Sequence, residues 1–211
     1  MRFYIINAVM EKLPKIKSAA KTLAAARGIK LLILDVDGVM TDGGITLDGA
    51  GGELKTFNVR DGHGIKMLME AGVGVAVITG RASGAVTRRA AELSITDLYQ
   101  KCSDKLGPFE ELMRKYALDD AHVAYIGDDV VDIPLLLRVG LPVTVADAEE
   151  SVKGYCMYVT TKNGGRGAVR EVCDLILEAR LTRRRGGRSP ENNTQREPET
   201  NGECNPESDR L

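Results

Sequence analysis

The stretch Leu31-Leu32-Ile33-Leu34-Asp35-Val36 leaves no face for water until its fifth residue. A strand open to solvent on one side alternates apolar and polar positions, whereas consecutive aliphatic residues must be covered from above and below. That condition is met by a parallel sheet with helices on both faces. Comparable runs recur at Val73 to Ile78, Val123 to Ile126 and Val143 to Val145. Apolar spacing predicts helices near Gly64 to Glu70, Ser83 to Leu93, Lys105 to Tyr116, Ile133 to Val139 and Arg166 to Ala179. An earlier helix over Lys15 to Arg27 is stopped by Gly28. The expected class is α/β, a doubly wound (Rossmann-like), mostly parallel sheet. One segment breaks the alternation. Gly44 to Asp48, the turn Gly49-Ala50-Gly51-Gly52 and Glu53 to Val59 read as a β-hairpin, about 44–59, that projects from the sheet.

The chain has 211 residues, 43% of them apolar, which suits one domain, expected over 1–180, with no room for a large second one. Residues 181–211 offer almost nothing to bury and are expected to form a disordered tail. Acidic residues downstream dilute its Arg183-Arg184-Arg185 cluster. A formal charge of -1 and 4% aromatics argue against a nucleic-acid partner and for a small molecule. Four cysteines, Cys102, Cys156, Cys173 and Cys204, lack zinc-site spacing and read as reduced thiols. No run approaches the ~20 apolar residues of a membrane span. The start, Met1 to Met10, lacks a signal peptide's basic leader and cleavage site, so the expected location is the cytoplasm.

Where the first strand ends, Asp35-Val36-Asp37-Gly38 presents two carboxylates two residues apart, which share a face if the strand stays extended, and then a flexible glycine. An ordinary turn explains most such pairs. A calcium loop is excluded, because Val39 and Thr46 stand where its fifth and twelfth positions need oxygen ligands. Three more signals sit at strand ends. Ile78-Thr79-Gly80-Arg81 offers a hydroxyl and a guanidinium suited to a phosphate. Ser103-Asp104-Lys105 puts a lysine at a helix start, where the dipole mildly disfavours it. Gly127-Asp128-Asp129-Val130-Val131-Asp132 is a second acidic cluster. Each alone reads as a cap or a solvated charge. Together they gather where open α/β sheets bind ligands, outside the carboxyl ends of the strands.

This four-part pattern resembles the haloacid dehalogenase superfamily of phosphohydrolases, with Asp35 and Asp37, Thr79, Lys105, and Asp128 with Asp129 and Asp132 as its four motifs. Segments 37–43, 57–62, 78–81 and 164–171 further resemble its capless branch that acts on 3-deoxy-D-manno-octulosonate 8-phosphate in lipopolysaccharide biosynthesis; the likeness covers roughly residues 20 to 180. The resemblance implies a phosphomonoesterase in which Asp35 is the nucleophile. An aspartate side chain in water titrates at about 3.9, so at neutral pH it needs no base to attack phosphorus. It does need charge compensation, since it and a dianionic phosphate about 4 Å apart repel by roughly 8 kcal/mol at an effective dielectric near 20. Mg²⁺ on Asp35, the Asp37 main-chain carbonyl and Asp128 suits an all-oxygen site. Lys105 adds positive charge and Thr79 orients the phosphoryl oxygens. Asp37 protonates the leaving oxygen and then deprotonates water. Asp129 and Asp132 either ligate through water or position Lys105.

The resemblance also implies a homotetramer in which neighbouring subunits cover each active site in place of a cap. Its substrate contacts map to Asp37, Asn58, Val59, Arg60, Asp61, Gly62, Lys66, Arg81, Arg89 and Lys105. Gly164-Gly165-Arg166-Gly167 is either a loop before a helix or a carrier of Arg166 into a neighbouring site. His63 reads as a turn or subunit contact. Two alternatives remain: a phosphatase of a nine-carbon, sialic-acid-like sugar, and a non-catalytic assembly protein. The presence of Asp35, Asp37, Lys105 and Asp128 weighs against the second. A fused cytidylyltransferase is not expected, with only about thirty residues ahead of Asp35.

Overall fold

The computed structural model describes residues 19–49 and 51–185. Six strands form one parallel sheet: β1 (Leu31–Leu34), β4 (Gly74–Ile78), β5 (Asp97–Tyr99), β6 (Val123–Ile126), β7 (Leu141–Thr144) and β8 (Tyr158–Val159). Their order is β5-β4-β1-β6-β7-β8, and every pairing is parallel. β1 lies between β4 and β6, with Leu31 opposite both Gly74 and Val123. From β1 the chain winds outward through β4 and β5, then returns to β1's other side at β6. The winding therefore reverses between β1 and β6, where such sheets open a crevice.

Strand side chains alternate between two cores, as a two-residue period requires. Leu32, Leu34, Val75, Val77, Ala124 and Ile126 pack on one face against Ile65, Leu68, Val86, Val169, Val172 and Ile176. Those partners come from α2 (Val59–Glu70), α3 (Gly84–Leu93) and α7 (Ala168–Arg185), joined by α1 (Ala19–Gly28) through Ala26. Leu31, Ile33, Ala76, Ile78, Val123 and Tyr125 pack on the other face against Phe109, Leu112, Leu135 and Leu136. That face is covered by α4 (Leu106–Tyr116), α5 (Ile133–Leu136) and α6 (Glu150–Lys153). The doubly wound arrangement follows from the unbroken apolar strands.

The hairpin is a short ladder of β2 (Thr46–Leu47) and β3 (Glu53–Leu54), with Thr46 opposite Leu54. Its turn closes through Asp48 N–H to Gly52 O at 2.9 Å. Residues 55–58 leave the ladder, and Val59 already belongs to α2, so the paired hairpin is shorter than the predicted 44–59. The helix predicted from Gly64 starts at Val59 because Asn58 caps it, its Oδ1 accepting from Arg60 N–H at 2.8 Å. Gly62 and Gly64, which weaken a helix in isolation, are used for close approach. A Cβ at Gly64 would lie 2.7 Å from Arg170 Cδ on α7. The two-residue β8 and three-residue β5 are edges too short to read from periodicity. α7 continues to Arg185, past the Arg180 boundary predicted for the folded part. The expectations for residues 1–18 and 186–211 lie outside the described residues. Among the described residues no helix is long and apolar enough to cross a membrane.

Candidate active site

Asp35 follows β1 directly and is tied to the neighbouring strand by its N–H, which donates to Ile126 O at 3.0 Å. The chain then wraps around the Val36 carbonyl, which accepts from the N–H groups of Val39, Met40 and Thr41 at 3.2, 2.9 and 3.0 Å and from the Thr41 hydroxyl at 3.3 Å. This coil is possible because Gly38 sits at φ +89°, and a Cβ there would fall 2.0 Å from Asp128 Oδ2. The first motif's glycine is thus the surface against which the fourth motif's carboxylate lies.

Lys105, the residue before α4, reaches the same point from the opposite side. Its ammonium stands 2.9 Å from Asp35 Oδ1, 2.6 Å from Asp132 Oδ1 and 3.1 Å from the Tyr125 hydroxyl. Tyr125 donates to Asp132 Oδ1 at 2.5 Å, and Asp132 Oδ2 accepts from the N–H groups of Asp128 and Asp129 at 2.9 and 3.2 Å. Four donors engage the fully buried Asp132, an arrangement that favours positioning of Lys105 over ligation through water. Asp129 caps the short turn Val130–Asp132, accepting from Val130 N–H at 2.6 Å. Burial alone would lower the Lys105 pKa, but the charges of Asp35 and Asp132 hold it above its ordinary value. Tyr125, buried beside Asp132, stays protonated and a donor.

Asp35, Asp128 and Asp132 bring carboxylate oxygens within 4.8 Å of one another. At that separation each ionised pair repels by about 3 kcal/mol at an effective dielectric near 20, and the ammonium of Lys105 balances one of the three charges when all are ionised. Burial first, then Asp35 and Asp132, push Asp128 up to about 8. Burial, opposed by Lys105 and assisted by Asp132, raises Asp35 to about 6. Two carboxylates reluctant to ionise side by side, all-oxygen donors and the Gly38 turn fit a hard divalent cation such as Mg²⁺. Of the three, Asp35 and Asp128 could hold such an ion, since Asp132 is engaged by its own donors.

Thr79 follows β4 and is buried, its N–H donating to Tyr99 O and its carbonyl accepting from Cys102 N–H. Arg81 follows it, with Nε 3.6 Å from Asp37 Oδ2 and Nη2 3.1 Å from Glu53 Oε2. The substrate contacts named by resemblance divide into separate groups. Val59, Arg60 and Lys66 are exposed along the start of α2, as is His63, which reads in the sequence as a turn or subunit contact. Arg89 lies over Phe57, 5.8 Å from the ring centre, and donates to Asn58 O at 3.4 Å; the absent side chain of Gly62 makes room for it. Asp61 is turned inward, where its carboxylate accepts from Gly167 N–H at 3.3 Å and Arg170 N–H at 2.7 Å. It caps α7 from a neighbouring helix, and burial pushes its pKa up.

The glycine loop before α7 also has a defined place. Gly165 donates to Val39 O at 2.9 Å, Asn58 Nδ2 donates to Gly165 O at 3.3 Å, and a Cβ on Gly164 would overlap the Gly38 carbonyl. The loop therefore braces the backbone of the nucleophile turn, and Arg166 pairs with Asp42 at 3.1 Å. One group escaped sequence reasoning. Lys55, just beyond β3, is half-buried with its side chain covered, and it pairs with both Asp37 and Glu53, the latter at 2.6 Å. Burial alone would lower its pKa, but hydrogen bonds to those carboxylates raise it. Its only sequence signal is that Glu53 and Lys55 lie two residues apart on one face of an extended segment, a spacing common on solvated strands.

A family model described as haloacid dehalogenase-like hydrolase matches residues 84–172, which include Lys105 and the Asp128 to Asp132 turn. The 3-deoxy-D-manno-octulosonate 8-phosphate phosphatase of Escherichia coli K12 is 52% identical over 161 residues, 76% of this chain and 86% of that protein. Among solved structures, the phosphatase of that name from Yersinia pestis superposes with a TM-score of 0.77 at 51% identity, covering 78% of this chain and 89% of its own. That from Moraxella catarrhalis, solved in complex with magnesium, phosphate and KDO, gives a TM-score of 0.76 at 41% identity, covering 78% and 95%. With half its residues shared along most of such relatives, and with all four motifs meeting at one sheet end, the chain belongs to the 3-deoxy-D-manno-octulosonate 8-phosphate phosphatase family of haloacid dehalogenase-like hydrolases.

Proposed function

We propose that this chain is a Mg²⁺-dependent phosphomonoesterase that converts 3-deoxy-D-manno-octulosonate 8-phosphate to the free sugar acid and phosphate, a step of lipopolysaccharide biosynthesis. The observation that carries the reading is the convergence of Asp35, Lys105 and Asp128 at the reversal point of the sheet. Mg²⁺, held by Asp35, the Asp37 main-chain carbonyl and Asp128, supplies the positive charge that lets a carboxylate meet a phosphate dianion. Asp35 attacks phosphorus while Lys105, fixed by Asp132, steadies the developing charge on the equatorial oxygens, and Thr79 orients them. As the phosphorus bond to the sugar oxygen breaks, that oxygen takes a proton from Asp37. Water then attacks the aspartyl-phosphate, giving its proton back to Asp37. Arg81 and Arg60 are assigned to the substrate's anionic groups, with Asn58, Val59, Gly62, Lys66 and Arg89 shaping the same surface. Asp61 supports that surface through its cap on α7.

Among the described residues the site has no lid of its own. Ile45, Leu47, Leu54 and Val59 are exposed apolar residues on or beside the hairpin. They support a homotetramer in which hairpins associate and neighbouring subunits cover each site. We place the enzyme in the cytoplasm, where its sugar phosphate is made. Phosphate release across a panel of sugar phosphates, with and without Mg²⁺, tests the reading. The eight-carbon acid is expected to give the highest kcat/KM, only with Mg²⁺, and Asp35→Asn to release none. Equal or faster turnover of a nine-carbon acid would transfer the assignment to that substrate, and no turnover of any would leave an assembly protein.

A further inference from the structure

Asp37 stands in a closed square of charge. Two carboxyl groups, Asp37 and Glu53, alternate with two cations, Lys55 and Arg81. The two cations are not equivalent. Arg81 is 45% exposed and touches Asp37 only at 3.6 Å, so a substrate anion can draw it away. The Lys55 side chain is 1% exposed, and an ammonium that left both carboxylates would give up both of its ion-pair partners. Glu53 takes part of its charge at 2.6 Å, so Asp37 is held without being fully neutralised. Glu53 and Lys55 both belong to the hairpin arm, whereas Asp37 belongs to the nucleophile turn.

We propose that Lys55 is a positioning residue for hydrolysis: anchored by Glu53, its ammonium holds the Asp37 carboxyl in the orientation from which it hands a proton to the departing sugar oxygen and later accepts one from water. The inference rests on the phosphatase reading above and deepens it. It also gives the hairpin a part in the chemistry, because whatever fixes the hairpin fixes the carboxyl that moves the proton. Proton transfer needs its partners within hydrogen-bond reach, and an error of an ångström costs far more there than in binding.

The test uses two substrates with different need of that proton. The alkoxide of the sugar must be protonated to leave; the nitrophenolate of p-nitrophenyl phosphate leaves unaided. kcat/KM reports events up to the departure of the leaving group. For Lys55→Met we expect kcat/KM on the sugar phosphate to fall roughly 10- to 100-fold, part of the ~10²–10⁴ that general acid–base catalysis supplies. On p-nitrophenyl phosphate it should fall less than about 3-fold by the same logic. Lys55→Arg, which keeps the charge and two donors, should recover most of the loss on the sugar phosphate. Equal losses on both substrates, as a phosphate-binding or purely structural lysine would give, overturn the proposal, as does no loss on either. Should Lys55→Met not fold by thermal melting, Lys55→Gln is read in the same way, and failure of both to fold assigns Lys55 to folding alone and overturns the proposal. Wild-type chain inactive on both substrates would instead sink the phosphatase reading itself.

Discussion

Asp35 at about 6 and Asp128 at about 8 hold protons that an unfolded chain, titrating near 3.8, has already released. Without added cation the fold therefore loses stability as pH rises from about 4 towards 8, since the native state is the one that must give up protons over that window. A cation on the two carboxylates competes with those protons and removes their repulsion. Adding Mg²⁺ should raise the melting temperature by several degrees at pH 8 and by little at pH 5; an equal rise at both would show that the ion binds elsewhere. Asp128→Asn, which keeps the shape and removes one charge, should abolish most of the Mg²⁺-dependent rise. At this scale the sequence was readable where chemistry demands unusual residues. Two carboxylates after an aliphatic strand and a lysine at a helix start are poor choices for stability alone. Asp132 was harder, because only its four donors distinguish a structural carboxylate from a ligand.

Between elements, α7 depends on α2. The N–H groups of Gly167 and Arg170 have no partner within their own helix and are met by Asp61. Asp61→Ala should cost about 1–3 kcal/mol by leaving two donors unsatisfied, lowering the melting temperature by roughly 2–12 °C. Below that temperature kcat/KM should remain within a few-fold of wild type; a large loss in the fully folded protein would return Asp61 to the substrate. The sequence places the helix start at Gly64, five residues after the observed start at Val59. Two glycines disfavour a helix locally, and only the packing of Arg89 and Arg170 into the space they leave reverses that preference. The glycines before α7 are likewise legible as a turn, yet their brace on Gly38 and Val39 joins segments more than a hundred residues apart.

For the whole molecule, the hairpin is the part that a single chain leaves unfinished. Leu47 and Leu54 are 70% and 60% exposed, so Leu47→Asp with Leu54→Asp should leave the monomer folded. If hairpins join copies as proposed, sedimentation should then report a smaller assembly, and kcat/KM on the sugar phosphate should fall at least ~10-fold as each site loses the neighbours that exclude water. An unchanged assembly would remove the hairpin from the interface. The sequence by itself determined the α/β class and the two-sided burial of the sheet, and it singled out Asp35, Asp37, Thr79, Lys105 and Asp128 as candidates, because aliphatic runs and misplaced charges are local signals carried by consecutive residues. Only the tertiary structure decided that Asp132 serves Lys105, that Asp61 caps a distant helix and that Lys55 grips Asp37. Those roles are set by which groups meet across the fold once water is excluded, and a lysine two residues after a glutamate looks the same on a solvated strand as on one folded against an active site.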